Sequence, residues 1–284
     1  MPRISLIQLF CTLSFIIICS SFRPNTKIPN KFLLSIKCKA IVADEIDGWD
    51  ASKYSWFIKN YWQLKPLLIR NAVTLDDALR YTKADVVYLS QDDDVECRLV
   101  RKRKNKWVKD YGPFEADKIT SLPPSAWTVL VQEVDRHLPW VADLWTDYFN
   151  FIPLWRRDDV MVSYSAVGGG IGGHVDNYDV FLIQGNGVKE WAIENKFVTH
   201  DEELMRELPN SETRLLADFT AGQTWILKPG DMLYLPPRVP HRGYVTIHHN
   251  TPLSHIAQLY IDDSRCMFDK RLRNIINGLP LTLL

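Results

Sequence analysis

Every position from 168 to 173 except Ile171 is glycine, and this run leads into His174-Val175-Asp176, while a second histidine, His241, closes the distant segment Pro236-Pro237-Arg238-Val239-Pro240-His241. Residues two apart in a strand share a face, so His174 and Asp176 can point together, and a return strand starting at His241 can bring a third group to them. Two imidazoles and one carboxylate can hold one face of an octahedral iron(II), leaving its remaining positions open for a co-substrate and for oxygen. With no thiolate in the set, iron(II) is favoured over zinc. A lone histidine in a strand is more often structural than a ligand. Here the glycine freedom before His174, its shared face with Asp176, and the Pro229-Gly230-Asp231 turn that feeds the strand before His241 argue together for a metal site. His248, His249 and His255 read as loop or strand residues.

Lys189 is the next candidate. It follows the turn residues Gly185-Asn186-Gly187 and alternates with Trp191 and Ile193 along one strand face. A lysine among such large apolar groups either reaches to solvent or is held inside as a counter-charge, as a bound dicarboxylate would require.

The elements that must position these groups divide near residue 150. Before it, helical spacing predicts helices over residues 49–61, 75–80 (with Thr74 as N-cap), 127–134 and 138–149, with a short buried strand at 67–69. After it, Gly and Pro punctuate strand runs at 160–167, 175–184, 190–193, 222–227, 232–235, 243–247 and 255–261, the pattern of a sandwich or barrel. Tyr178, Phe181 and Trp191 are candidate cavity walls. The expected domains are a presequence over 1–43, a helical and mixed region over 44–150, a β-barrel over 151–262 and a tail over 263–284.

The chain has 284 residues, 46% of them hydrophobic, with 34 basic and 34 acidic side chains, so its overall charge does not drive tight non-specific attachment to nucleic acid or anionic membrane. One local exception is residues 98–109, whose bases include Arg101-Lys102-Arg103-Lys104; they read as a solvated hairpin tip, with a docking patch for an RNA-rich partner as the other reading. Cys11, Cys19, Cys38, Cys97 and Cys266 form no Cys-x-x-Cys pair and indicate neither a disulfide framework nor a zinc knuckle. Residues 1–43 contain no Asp or Glu; an apolar run at 6–19 suits a signal-peptide core, and the basic stretch after Phe22 suits a transit peptide. Import into an organelle is expected, a plastid before a mitochondrion, with secretion or a membrane anchor as the alternative.

Residues 155–163, the glycine run, His174 to Phe181 and Gln184-Gly185 together resemble the ribosomal oxygenases of the JmjC, cupin-like type, and within them the bacterial ribosomal protein arginine hydroxylases. Residues 62–70 and 111–115 extend the resemblance to most of 56–262. It implies a mainly β fold, a double-stranded β-helix behind an N-terminal helical and mixed region, with Fe(II) on His174, Asp176 and His241. It also implies 2-oxoglutarate as co-substrate with O2, its distal carboxylate paired with Lys189 and assisted by Ser163. The expected reaction hydroxylates a side chain of a ribosomal protein while 2-oxoglutarate becomes succinate. Lysine at position 189 departs from the bacterial pattern of arginine and matches relatives that hydroxylate histidine, so the target residue is arginine or histidine. The family continues into a dimerisation region and a winged helix that this sequence does not reach, which leaves dimerisation open. A JmjC lysine demethylase and a non-catalytic cupin binding module are the competing readings. Neither sequence-specific nucleic-acid binding nor a membrane span after processing is expected.

Overall fold

Short apolar runs cut by Gly and Pro bury themselves by pairing into sheets whose faces are then covered. The computed structural model describes residues 40–102, 106–209 and 214–246, and the backbone of 103 and 254–261. The proposed presequence lies almost wholly outside the described residues, as do the tail, His248 and His249, and every cysteine except Cys97, which is buried.

Strand β1 (Asp44–Asp47), helix α1 (Ala51–Asn60) and strand β2 (Leu67–Arg70) come first, followed by helices α2 (Leu75–Leu79) and α3 (Lys83–Leu89). The hairpin β3 (Cys97–Arg103) and β4 (Lys106–Tyr111) is followed by α4 (Ala116–Thr120), β5 (Trp127–Val131), α5 (Val134–His137) and α6 (Pro139–Tyr148). The remainder is β6 (Asp159–Ser165), β7 (Gly170–His174), β8 (Asp179–Gln184), β9 (Lys189–Ile193), α7 (His200–Arg206), β10 (Gln223–Leu227), β11 (Met232–Leu235), β12 (His241–Tyr244) and β13 (Ser254–Ile261).

A nine-stranded sheet runs β1-β2-β11-β8-β13-β6-β5-β3-β4, and a four-stranded sheet runs β10-β9-β12-β7. From β6 onward the chain alternates between them except where β9 and β10 follow each other in the small sheet, placing β6, β8, β11 and β13 in the large sheet and β7, β9, β10 and β12 in the small one. That order is the double-stranded β-helix of the JmjC and cupin folds. The N-terminal region builds onto the same large sheet, through β2 against β11 at one side and β5 against β6 at the other. Phe57, Val86, Leu89, Leu144 and Trp145 from the helices cover its outer face. Its inner face meets Trp191, Ile193 and Leu227 of the small sheet. No helix among the described residues is long and apolar enough to cross a membrane.

The helices expected near 49–61, 75–80 and 138–149 are α1, α2 and α6, and the Thr74 side chain caps the Asp77 amide. Residues 127–134 differ: five of them form strand β5, with α5 beginning only at Val134. Val129 and Val131 face the helices while Leu130 faces the small sheet. Burial on both faces removes the period of two and leaves a continuous apolar run that periodicity cannot separate from a buried helix. The β-branched Thr128, Val129 and Val131 favour the extended form.

The second part of the glycine run, not named as a strand from the sequence, is strand β7. A Cβ on Gly170 would lie 2.1 Å from the Gly243 carbonyl oxygen. Strands β7 and β12 therefore pack closer than a side chain at that position allows. The strand expected at 175–184 starts only at Asp179, and the one expected at 243–247 starts earlier, at His241.

Candidate metal centre and active site

Strands β7 and β12 are antiparallel neighbours, and His241 sits directly opposite His174 in their register. The two imidazole centroids are 4.3 Å apart. Asp176 does not share the strand with His174 as expected; it lies just past the end of β7, in the turn toward β8. That turn still brings its Oδ2 to 3.4 Å from His241 Nε2 and 3.9 Å from His174 Nε2. Ligands about 2.0 to 2.2 Å from one ion stand roughly 3 Å apart at right angles, so the three groups need little adjustment to share a metal. Among the described residues they form the group whose ligand atoms all lie within 4.8 Å of one another.

The hydrogen bonds around the histidines fix which nitrogens are free. His174 Nδ1 lies 2.9 Å from the Gly172 carbonyl oxygen, and His241 Nδ1 lies 2.9 Å from the Val239 carbonyl oxygen. A carbonyl only accepts, so each Nδ1 carries a proton and donates it, which leaves a lone pair on each Nε2. Oδ2 of Asp176 is buried and accepts no hydrogen bond. Burial, with His241 alongside, lowers the His174 pKa to about 4. Burial pushes the Asp176 carboxyl up, but His174 and His241 outweigh it and hold it below its usual range. At neutral pH His174 is thus a neutral imidazole beside an ionised carboxylate, the states a divalent metal needs. The nitrogen, nitrogen and oxygen donor set fits iron(II) held on one face.

Lys189 begins β9 on the same inward face as Trp191 and Ile193, and it is only 2% exposed. Its Nζ lies 4.8 Å from the centre of the Trp191 ring, and no carboxylate among the described residues pairs with it. Burial lowers its pKa to about 7. Gly243, on the neighbouring strand β12, makes room for it: a Cβ there would lie 2.8 Å from Lys189 Cε and 2.9 Å from the Trp191 ring. Ser163 is buried on β6, two residues from Met161 and on the same face. A cavity of about 480 Å³ opens beside the triad, lined by His174, Asp176, Asp159, Met161 and Tyr178 among others. Of the expected walls, Tyr178 lines this cavity and Trp191 lies between the sheets, whereas Phe181 points outward into the helical layer.

The model of the JmjC domain matches residues 144–257. Residues 144–257 are a JmjC domain. The chain is 38% identical to a probable ribosomal oxygenase of Haemophilus influenzae and 34% identical to the ribosomal protein uL16 3-hydroxylase of Escherichia coli, each over 66% of this chain. These matches cover 45% and 48% of the two relatives, so the chain spans about half the length of the curated relatives it matches. Among solved structures it is similar to the Escherichia coli ribosomal oxygenase YcfD in complex with cobalt and 2-oxoglutarate, with a TM-score of 0.60 and 28% identity over 79% of this chain and 54% of that one. The same oxygenase in complex with cobalt and succinic acid gives a TM-score of 0.58 at 29% identity, over 74% of this chain and 51% of that one.

Within this JmjC domain, sequence reasoning named the converging histidines, Asp176 and Lys189, but missed Arg238. That residue lies in the turn before His241 with a left-handed backbone, φ 71°. Its amide donates to the Asp176 carbonyl oxygen at 2.8 Å. Its guanidinium donates to Asn177 Oδ1 at 2.7 Å, Glu203 Oε2 at 2.6 Å, the Val198 carbonyl at 2.9 Å and the Thr199 carbonyl at 2.8 Å. One residue thus ties the segment carrying His241, the turn carrying Asp176 and the start of α7 together. An arginine amid Pro-Pro-Arg-Val-Pro gives no sequence cue to this, since its side-chain partners lie 35 to 61 residues away.

Proposed function

We propose that the chain is an iron(II)- and 2-oxoglutarate-dependent oxygenase that hydroxylates a side chain of a ribosomal protein, with arginine favoured over histidine as the target. The observation that carries this reading is the convergence of His174, Asp176 and His241 beside a buried cation, Lys189, that lacks a carboxylate partner. The names of the relatives supply the substrate class, and the similarity to a 2-oxoglutarate complex supports the co-substrate.

In this reading His174, Asp176 and His241 hold Fe(II), and Lys189 receives the distal carboxylate of 2-oxoglutarate with Ser163 beside it. When bound, the metal with 2-oxoglutarate and O2 supplies the oxidising power that turns a C–H bond into C–OH, 2-oxoglutarate leaving as succinate and carbon dioxide. The protein's own work is positioning and exclusion of water. The carbonyls of Gly172 and Val239 fix both imidazoles, Arg238 holds the Asp176 turn, and Trp191 shields the Lys189 ammonium from solvent.

Asp159 supports arginine as the target. It is buried on the same β6 face as Met161, at the cavity wall, and a carboxylate there offers a guanidinium a charge-assisted hydrogen bond that a neutral imidazole would not match. Succinate release from 2-oxoglutarate by the iron-loaded chain, abolished in His174→Ala, tests the reading. Turnover by that variant at the wild-type rate would remove His174 from the ligand set.

Residues 1–43 are proposed to direct the chain into an organelle, a plastid before a mitochondrion. A fluorescent protein fused to those residues should then enter the organelle, and a cytosolic signal would refute it.

A further inference from the structure

The chain balances 34 basic against 34 acidic residues, yet residues 98–109 hold seven bases and no acid, and strand alternation sorts Arg98, Arg101, Lys102 and Lys109 onto two faces. Val100 and Leu130 belong to the core between the sheets, so Arg98, Val100 and Lys102 of β3 face inward. Tyr111, Lys109 and Trp107 stand opposite them on β4 and share that face. Arg101 turns to the other side and is paired with Asp110.

The inward face continues directly from the catalytic cavity, because Arg98 and Lys109 line both, and Arg214 lines the cavity as an exposed cation. Arg98 has Glu96 as an ion-pair partner at 3.4 Å. Lys102, Lys109 and Arg214 have no carboxylate partner among the described residues. Cations and rings alternate along the stripe: Lys102 Nζ lies 5.6 Å from the Trp107 ring and Lys109 Nζ 5.3 Å from the Tyr111 ring, which is 58% exposed. An acidic peptide would need only the cations. Single-stranded nucleic acid uses both, with phosphates on the cations and bases on the exposed aromatic faces. Trp107 packs against the core between the sheets, whereas Lys102, Tyr111 and Arg214 are exposed and Lys109 is half-buried, so these four form the open part of the stripe.

We propose that the inward face of β3 and β4, with Lys102, Lys109, Arg214 and Tyr111, binds single-stranded RNA without sequence preference, beside the cavity that admits the target side chain. This rests on the ribosomal reading only for its biological setting; the binding itself is independent of catalysis.

The test is fluorescence anisotropy of a labelled 12-nucleotide oligoadenylate RNA with the full chain, over a range of salt concentrations. Contacts to about three phosphates predict a log–log salt slope near −2 for a single strand. The double variant Lys102→Glu/Lys109→Glu should bind at least tenfold more weakly with a shallower slope, and Tyr111→Ala should bind about tenfold more weakly at an unchanged slope. Lys102→Ala, a milder surface change, should weaken binding severalfold and guards against a folding defect in the double variant. RNA binding that is undetectable, or that is unchanged in the lysine variants, would overturn the proposal. So would equal binding of a 12-residue polyglutamate with no effect of Tyr111→Ala. Loss of RNA binding with succinate formation intact would leave the oxygenase reading standing, and the converse would leave this one.

Discussion

The amide of Arg238 donates to the Asp176 carbonyl at 2.8 Å, joining the turn before His241 to the turn after His174. In the proposed metal set, the carboxylate therefore depends on the segment that delivers the second histidine. Truncating Arg238 to alanine keeps that bond but removes the guanidinium that fixes Asn177 and Glu203. Supports of this kind typically contribute 10- to 100-fold to metal affinity, so Arg238→Ala should weaken iron or cobalt binding by about tenfold. Glu203, buried without its partner, should lower stability by about 3 to 5 kcal/mol. Arg238→Gly should bind metal as weakly as the alanine variant yet unfold about 1 kcal/mol later, since glycine accepts the left-handed backbone. Metal titration and denaturant unfolding of both variants check this.

Lys189→Ala should weaken 2-oxoglutarate binding by roughly 100-fold or more, because removing one partner of a buried ion pair costs about 3 to 5 kcal/mol and each 1.4 kcal/mol is about tenfold. Metal affinity should change little. Lys189→Arg should do much less harm, the charge being kept although the larger fork fits this pocket differently. Anaerobic titration with 2-oxoglutarate, following the absorbance of the iron chelate, measures each. An unchanged affinity in Lys189→Ala would place the anchor elsewhere.

Gly243 tests the same anchor from the adjacent strand. Because an added Cβ would press on Lys189 Cε at 2.8 Å, Gly243→Ala should displace the lysine and weaken 2-oxoglutarate binding by about tenfold, ~1.4 kcal/mol. The same titration reads it. Wild-type affinity in this variant would mean that the lysine end has room to move without losing its carboxylate.

The two buried charges predict a pH window. Lys189 binds a carboxylate only when protonated; burial lowers its pKa to about 7, so 2-oxoglutarate affinity should fall as pH rises above that value. Asp159 attracts a cationic target only when ionised; burial raises its pKa to about 6, so kcat/KM for the protein substrate should fall as pH drops below that value. Binding of 2-oxoglutarate at pH 8 should accordingly take up a proton, detectable by calorimetry in buffers of different ionisation enthalpy. A flat profile from pH 5 to 9 would contradict both assignments.

The inward placement of Lys189 was legible in the sequence because it relies on local alternation: Lys189, Trp191 and Ile193 share a face as written. His174 and His241 were legible as candidates, but their pairing across β7 and β12 is a matter of register that no local pattern encodes. The strand β5 read as a helix because both of its faces are buried. Strand β7 was not named as a strand because its glycines carry no side-chain alternation and are set by a neighbouring backbone. Strands β1, β3 and β4 were not named as strands; β3 and β4 read only as a charged hairpin tip, since their basic side chains mask the apolar alternation of Val100 and Trp107. Arg238 was invisible because its role lies in long-range hydrogen bonds.

The most direct measurement is peptide mass spectrometry of ribosomal proteins after incubation with the iron-loaded chain, 2-oxoglutarate and O2. The account predicts that one ribosomal protein gains a single oxygen atom on an arginine side chain, dependent on 2-oxoglutarate and absent with His174→Ala. Loss of a methyl group from a lysine, or no change in any ribosomal protein while 2-oxoglutarate is still turned over, would contradict it.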